Sequence, residues 1–183
     1  MALSSVEQLR PLRRAEYDQL IALGAFQDEH IELIDGALVR MSPIGPPHSG
    51  TVARLNELLV LAFAGKAFVR PQLPFAASEL SEPEPDLSLV PRVDYDREHP
   101  ELAHLIIEVS ESSLRWDRGR KARLYAESSV PEYWVVNLVD RRVEVHTDPV
   151  SGVYQQITNY EKGERIRLQA FRDMEFAVDD FLK

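Results

Sequence analysis

Two short apolar runs in the middle of the chain constrain its fold more than any other feature. Residues 87–90 and residues 105–109 have the length and composition of buried strands, and a polar loop separates them. Each run comes with a carboxylate, because Asp86 immediately precedes the first and Glu108 lies inside the second. A charged segment with helical spacing follows and carries Lys121. Two strands that each supply a carboxylate, followed by a helix that supplies an ammonium, are the parts needed to hold a divalent metal against a phosphodiester.

The other hydrophobic patterns predict a mixture of helices and strands. Asp35-Gly36 is a two-residue turn signal, and it predicts a hairpin over residues 31–41. Helices are predicted at 15–24, 48–65 and 117–128, a short helix or tail at 179–183, an edge or irregular strand at 67–77, and strands at 133–138, 143–146, 154–160 and 165–168. This order predicts the α/β (α+β) class with a mixed β-sheet.

The size and charge of the chain narrow the choice of function. Its 183 residues suit one domain over 1–183, with 1–13 expected to form a flexible N-terminal segment. The absence of cysteine excludes disulfides, thiolate metal sites and thiol catalysis. A net charge of −9 argues against a protein that coats nucleic acid by bulk electrostatics, so any phosphate recognition has to be local.

Several signals that would point elsewhere are missing from the sequence. The N-terminus has no apolar stretch typical of a signal peptide, and no apolar run is long enough to cross a bilayer. We therefore expect a cytoplasmic protein with no membrane partner. The sequence also has no His-Glu-x-x-His zinc motif, no glycine-rich phosphate loop and no G-x-S-x-G nucleophile motif.

Asp86 and Glu108 have two interpretations. If the two carboxylates converge to about 4 Å, their repulsion is on the order of 4 kcal/mol at a surface-like dielectric, and folding tolerates it only with a proton or a cation between them. Mg²⁺ suits such a site, since it prefers hard oxygen ligands and keeps several waters. Glu82 and Glu84 share a face with Asp86 by the two-residue period of a strand and add charge to the same region. The alternative is that these side chains end their strands and face solvent.

Three other polar residues, Lys121, His48 and Glu32, also have two interpretations each. Lys121 lies four residues after Asp117, which on a helix is either an ordinary ion pair or a point charge that orients water and stabilises a pentavalent phosphorus. His48, at a predicted helix start, is either a capping or surface residue or a ligand. Glu32, on the first hairpin strand, is either exposed or a third acidic ligand.

A basic cluster around Trp116 is the candidate contact for nucleic acid. Backbone phosphates would meet its cations, and Trp116 is able to stack on a base. The alternative is a solvated helix face. The cations of this cluster are Arg115, Arg118, Arg120, Lys121 and Arg123.

An ordered set of short blocks resembles one known family over nearly the whole chain, from about residue 14. The blocks are Glu32-Leu33-Ile34-Asp35-Gly36, Met41-Ser42-Pro43 with His48, Pro85-Asp86, Glu108-Val109-Ser110, Asp117 and Lys121 to Tyr125, and Val130-Pro131-Glu132-Tyr133-Trp134-Val135-Val136. They resemble the Uma-two family of endonuclease-like proteins, within the restriction-endonuclease-like PD-(D/E)XK superfamily. The resemblance implies a restriction-endonuclease-like mixed β-sheet flanked by helices, with the acidic site on the central strands.

The resemblance also implies a set of roles. Asp86 and Glu108 would bind Mg²⁺ or Mn²⁺, helped by Glu32. The superfamily motif places its lysine where this chain has Ser110, so the lysine supplied from the following helix, Lys121, is the catalytic candidate.

The function expected from these roles is metal-dependent hydrolysis of phosphodiester bonds in DNA. His48, Asp117 and Ser110 would support the metal ligands or contact the substrate, and a homodimer would supply the two sites needed to cut both strands. Two alternatives stay open at this stage. One is a catalytically inactive binding or assembly module with the same fold, and the other is a phosphodiesterase acting on RNA or on small phosphorylated molecules.

Overall fold

The computed structural model describes residues 9–27, 29–41 and 43–183. The prediction of a flexible segment over 1–13 therefore falls largely outside the described residues. Within its described part, Leu12 N donates to Gly36 O at 2.9 Å. This bond fastens the start of the described chain to the first hairpin.

Five helices, ten strands and one π-helical segment make up the described part of the chain. In order they are α1 (Arg14–Ala22), β1 (Ile31–Ile34), β2 (Ala37–Arg40), α2 (Pro46–Phe63), β3 (Ala67–Pro71), β4 (Leu87–Pro91), β5 (Leu105–Ser110), α3 (Leu114–Trp116), the π-helical segment (Asp117–Lys121), α4 (Ala122–Glu127), β6 (Glu132–Asn137), β7 (Arg142–Val150), β8 (Val153–Tyr160), β9 (Arg165–Arg167), β10 (Glu175–Ala177) and α5 (Val178–Phe181).

A six-stranded mixed sheet forms the centre of the fold, in the order β3-β4-β5-β6-β7-β8. Neighbouring strands are antiparallel except β5 and β6, which run parallel because the helical stretch from α3 to α4 carries the chain back between them. The hairpin β1–β2 and the pair β9–β10 stand apart from this sheet. The predicted class, a mixed sheet flanked by helices, is confirmed.

The central strands are buried along their length and mostly apolar because both faces of the sheet are covered. On one face, Leu55, Leu59 and Phe63 of α2 belong to a core cluster with Leu87 and Ile107. On the other face, the cluster contains side chains from α4 and from the alternate strand positions: Tyr125, Val90, Ile106, Tyr133 and Val135. Strands buried on both sides read as continuous apolar runs rather than as alternating ones, as residues 87–90 and 105–109 do.

Several elements differ from the sequence prediction. The strand predicted over 67–77 ends at Pro71, and the strand predicted over 143–146 extends over Arg142–Val150. The helix predicted from Asp117 begins at Leu114 and contains a π-helical segment, which the side-chain pattern does not reveal. The helix predicted from His48 begins at Pro46, where a proline is tolerated in the first turn. The short strand β10 was not predicted, and it is stabilised by pairing with β9.

The register of β4 on β5 decides where the two strand carboxylates lie. Leu87 pairs with Ile107 in antiparallel orientation, so one further step along the strands places Asp86 beside Glu108. Because side chains alternate along a strand, both carboxylates point to the face that α4 covers, opposite to Leu87 and Ile107.

Among the described residues, no helix combines the length and the apolar character needed to span a bilayer.

Candidate functional site

Asp86 and Glu108 meet at the N-terminal end of β4, which is the first of the two arrangements that the sequence left open. The backbone N–H of Val109 donates to Asp86 Oδ2 at 2.8 Å, and the backbone N–H of Asp86 lies 3.4 Å from Glu108 Oε2. Asp86 is 6% exposed and Glu108 is 5% exposed. The two carboxylates are therefore adjacent, on the same face of the sheet, and largely withdrawn from water.

Lys121 reaches these carboxylates from the helical stretch between β5 and β6. Its ammonium donates to Glu108 Oε1 at 2.9 Å and to Glu32 Oε1 at 3.0 Å, and the residue is 5% exposed. Lys121 is the last residue of the π-helical segment, and such wide turns recur at functional sites because they redirect the side chains that follow. Burial disfavours the charged amine, but the negative charges of Glu108 and Glu32 outweigh burial and raise the pKa of Lys121. The side chain stays an ammonium.

Glu32 is held in place by the backbone as well as by the lysine. Its Oε1 accepts a hydrogen bond from Glu84 N at 2.8 Å, and the adjacent Leu33 pairs with Glu82 through backbone hydrogen bonds. These contacts attach the hairpin β1–β2 to the segment that leads into β4. Glu32 therefore lies at the site, and its direct partner there is Lys121.

The pKa of Glu108 is shifted by burial and by four neighbouring charges. Burial is the main cause that raises its pKa, and the charges of Asp86, Asp117 and Glu32 act in the same direction, while the charge of Lys121 lowers it. Tyr125 donates its hydroxyl to Glu108 Oε1 at 2.7 Å. Oε1 thus accepts from two donors, and Oε2 is the oxygen that faces Asp86.

Three further predicted residues gather around this pair. His48 Nε2 lies 3.1 Å from Asp86 Oδ2, and its Nδ1 is buried without a partner among the described residues. Burial lowers the pKa of His48, but the hydrogen bond and charge of Asp86 outweigh it and raise the pKa overall. Ser110 Oγ donates to Asp117 Oδ2 at 2.7 Å. The serine at the superfamily's lysine position therefore binds a carboxylate on the segment that ends in Lys121.

Most of these side chains line one cleft of about 340 Å³, and Ser110 and Tyr125 lie behind them, outside its lining. Its floor holds the polar cluster, and Trp116, which is 39% exposed, contributes to its rim. Arg40, at the end of β2, also lines the cleft and was not identified from the sequence. The full lining is Glu32, Val39, Arg40, Met41, Pro43, Ile44, Gly45, His48, Gln72, Asp86, Glu108, Val109, Glu111, Ser112, Ser113, Trp116, Asp117 and Lys121.

The predicted arginine cluster is not part of this cleft, and three of its members pair with carboxylates of the chain itself. Arg118 Nε donates to Glu144 Oε2 at 2.7 Å. Burial raises the pKa of Glu144, but hydrogen bonds from Arg118, Asn137 and Arg142 outweigh it and lower that pKa to about 2. The other two pairs are Arg120 with Asp35 and Arg123 with Glu127, while Arg115 is exposed.

The oxygens at the end of β4 fit a divalent metal bound through two carboxylates. Among the described residues, no group of three or more His, Asp and Glu side chains has the geometry of a metal cage. Mg²⁺ often binds through only one or two carboxylates and completes its shell with waters and substrate phosphates. Asp86 Oδ1 and Glu108 Oε2 accept no hydrogen bond from any described side chain, so both oxygens are available.

A second cavity, of about 630 Å³, lies next to the cleft and is lined by carboxylates, among them Asp18, Glu82 and Glu84. Burial, reinforced by the charge of Asp18, raises the pKa of Glu82 to about 7. Its nearest basic side chain among the described residues is His99, at 3.9 Å, and burial lowers the pKa of that histidine. Six carboxylates line this cavity together with Arg14, Arg97 and His99, so its lining is acidic on balance.

We predict that Glu82 makes stability fall with rising pH. Its pKa is higher in the folded state than the usual value, so its contribution is complete below about pH 4.5 and is lost as the pH rises through about 7. Glu82→Gln should therefore leave stability unchanged near pH 5 and raise it by about 1–3 kcal/mol near pH 8.5. Urea unfolding of both proteins at the two pH values measures the effect, and equal gains at both would contradict it.

The sequence missed several residues that shape the site. Tyr125 could have been found, since it lies four residues after Lys121 and so shares its side of a helix. Arg40 and the acidic partners Asp35 and Glu144 carried no comparable signal. Their positions depend on how the hairpin and β7 pack against the helical stretch.

Comparison with known proteins identifies both the family and the fold. Residues 14–179 match the model of the Uma2 family, whose description is "putative restriction endonuclease". The crystal structure of a protein from Anabaena variabilis ATCC 29413, described as a putative nuclease, superimposes with a TM-score of 0.75. The two chains share 13% sequence identity, and the similarity covers 94% of this chain and 98% of that chain, so this likeness concerns the fold. Among curated proteins, no sequence gives a significant match.

Proposed function

Because the chain belongs to the Uma2 family, we propose that it is a metal-dependent endonuclease that hydrolyses phosphodiester bonds in DNA. The observation that carries this proposal is the position of the Lys121 ammonium, 2.9 Å from Glu108 and on the same cleft floor as Asp86. A buried cation beside two adjacent carboxylates is a suitable arrangement for a phosphate group and a divalent ion together.

Asp86 and Glu108 are the proposed ligands of Mg²⁺ or Mn²⁺. When bound, such an ion would offset the charge of the phosphodiester and polarise it. The chain fixes both carboxylates beforehand: Val109 N and His48 hold Asp86, and Tyr125 and Lys121 hold Glu108. Oxygens held in this way need little reordering when they bind an ion.

Lys121 is proposed to stabilise the negative charge that develops on the phosphate. Its raised pKa keeps it protonated, so it acts as a hydrogen-bond donor and a positive charge and not as a base. Glu32 keeps the ammonium at the cleft floor through the 3.0 Å contact. The proposal gives Glu32 this orienting role first, and its direct contact with a metal stays a prediction.

The homodimer and the cytoplasmic location also stay predictions. A second candidate function, a binding module without catalysis, is favoured by one observation. Arg118, Arg120 and Arg123 are neutralised inside the chain, which leaves less positive charge for nucleic acid than the sequence indicated.

A cleavage assay decides between these functions. We expect plasmid or oligonucleotide DNA to be cut in Mg²⁺ or Mn²⁺ and not in chelator, and Glu108→Gln to slow cleavage at least about 10²-fold. Glu132→Gln is the matched control, because Glu132 is also buried on a central strand but binds Trp134 and Gln169 away from the cleft. Cleavage that persists in chelator, or that survives in Glu108→Gln, would contradict the proposal.

A further inference from the structure

Trp116 and Arg40 form the part of the cleft that the proposed metal chemistry does not use. They come from separate elements, α3 and the end of β2, and both line the cleft whose floor holds Lys121 and Asp86. The rim beside them includes Val39, Met41 and Ile44. An aromatic ring with apolar neighbours and one guanidinium offers a stacking surface for a base and a contact for a phosphate.

The charges around the cleft indicate that few phosphates can be bound at once. Three arginines of the predicted cluster are paired with the chain's own carboxylates, and the net charge is −9. Arg40 is exposed, and it makes no ion pair within the described part of the chain. A protein that grips duplex DNA through many phosphates needs a broad basic surface, which this cleft lacks.

From these contacts we infer that the cleft takes single-stranded nucleic acid, with one base stacked on Trp116 and a neighbouring phosphate bound by Arg40. This inference rests on the proposed function and narrows its substrate. In an intact duplex the faces of the bases are covered by their neighbours, so a base can reach Trp116 only from a single strand or after flipping out. Trp116 lies on α3 and Arg40 at the end of β2, so the bound strand passes between these two elements.

The chain carries its own reporter for this contact. It has two tryptophans, and Trp134 is fully buried while Trp116 is 39% exposed. Quenching of tryptophan fluorescence by a stacked base therefore reports on Trp116. We expect short single-stranded DNA or RNA to quench the wild-type emission in chelator, and duplex DNA of the same sequence to do so only at much higher concentration.

Labelled oligonucleotides and fluorescence anisotropy test the residues one at a time. Trp116→Ala should weaken single-strand binding by about 5- to 140-fold, which corresponds to the 1–3 kcal/mol of one stacked base. Arg40→Gln should lower the slope of log affinity against log salt by about 0.7, the value for one phosphate contact on a single strand. Arg123→Gln is the matched control and should bind as the wild type does, since Arg123 is already paired with Glu127.

The outcomes separate this inference from the proposed function. Duplex binding as tight as single-strand binding, or the absence of quenching by DNA and RNA alike, would overturn the inference, as would an Arg123→Gln defect as large as that of Arg40→Gln. Whichever of single-stranded DNA and single-stranded RNA binds more tightly identifies the sugar that the cleft prefers. Quenching without any metal-dependent cleavage would sink the proposed function and leave the inference standing. Metal-dependent cleavage of duplex DNA without quenching would support the proposed function and overturn the inference.

Discussion

Replacing Lys121 with methionine is expected to lower the free energy of unfolding by about 3–5 kcal/mol near about pH 9. The side chain is buried, and its ammonium is the cation that Glu32 and Glu108 share. Without it, two buried carboxylates face each other with no compensating charge, and breaking a buried ion pair from one side costs more than the pair itself contributes. Cleavage should fall by about 10²–10³-fold, because the donor to the phosphate is gone.

The stability deficit should depend on pH. Lys121 lowers the pKa of Glu108, so its removal raises that pKa further. A carboxyl with a raised folded-state pKa contributes its full stability below the unfolded value and loses it as the pH rises. The deficit of Lys121→Met should therefore be small near about pH 5 and largest near about pH 9. Urea denaturation across this range measures it.

Two variants separate the charge effect from general damage. Arg123→Met removes a cation two residues away, but its pair with Glu127 is exposed, so stability should change by no more than about 0.5 kcal/mol. Adding Glu32→Gln to Lys121→Met removes one of the stranded charges and should restore part of the stability without restoring cleavage. A double variant no more stable than Lys121→Met would mean that lost packing, and not charge, causes the deficit.

The sheet could be predicted from the sequence because its signals are local. The runs at 87–90 and 105–109 are mostly apolar and buried at every position, which is typical of strands covered on both faces. Asp35-Gly36 fixed the hairpin, since both residues have positive φ in the turn. The convergence of Asp86 and Glu108 followed from the register of two neighbouring strands, once their pairing was assumed.

The helical stretch could not be predicted at the same level. A π-helical segment differs from an α-helix by hydrogen bonding that no side-chain pattern marks, and it decides which side chains face the sheet. Arg118, Arg120 and Lys121 are close together in sequence, yet Arg118 binds Glu144 on β7, Arg120 binds Asp35 in the hairpin turn and Lys121 binds Glu108 on β5. Those partners are distant in the sequence. The sequence alone therefore predicted a single basic helix face.

Asp86→Asn should remove metal binding by Asp86 and Glu108. The amide keeps the size of Asp86 and the acceptor for Val109 N, so the fold should survive, while one of the two charged ligands is lost. In the wild type, Mg²⁺ or Mn²⁺ at about a hundredfold excess over its dissociation constant should stabilise the fold by about 2.7 kcal/mol. For a chain of this length that corresponds to roughly 5–11 °C in Tm.

The most direct test is thus the Tm of three proteins, each measured with Mn²⁺ and with chelator. We expect a rise of roughly 5–11 °C for the wild type and for Glu132→Gln, whose buried carboxylate lies away from the cleft, and no rise for Asp86→Asn. If Asp86 and Glu108 bind a divalent cation, adding that cation must raise the Tm of the folded protein. A wild-type Tm that is the same in Mn²⁺ and in chelator, or an equal rise in Asp86→Asn, would contradict the metal site and the catalytic role that depends on it.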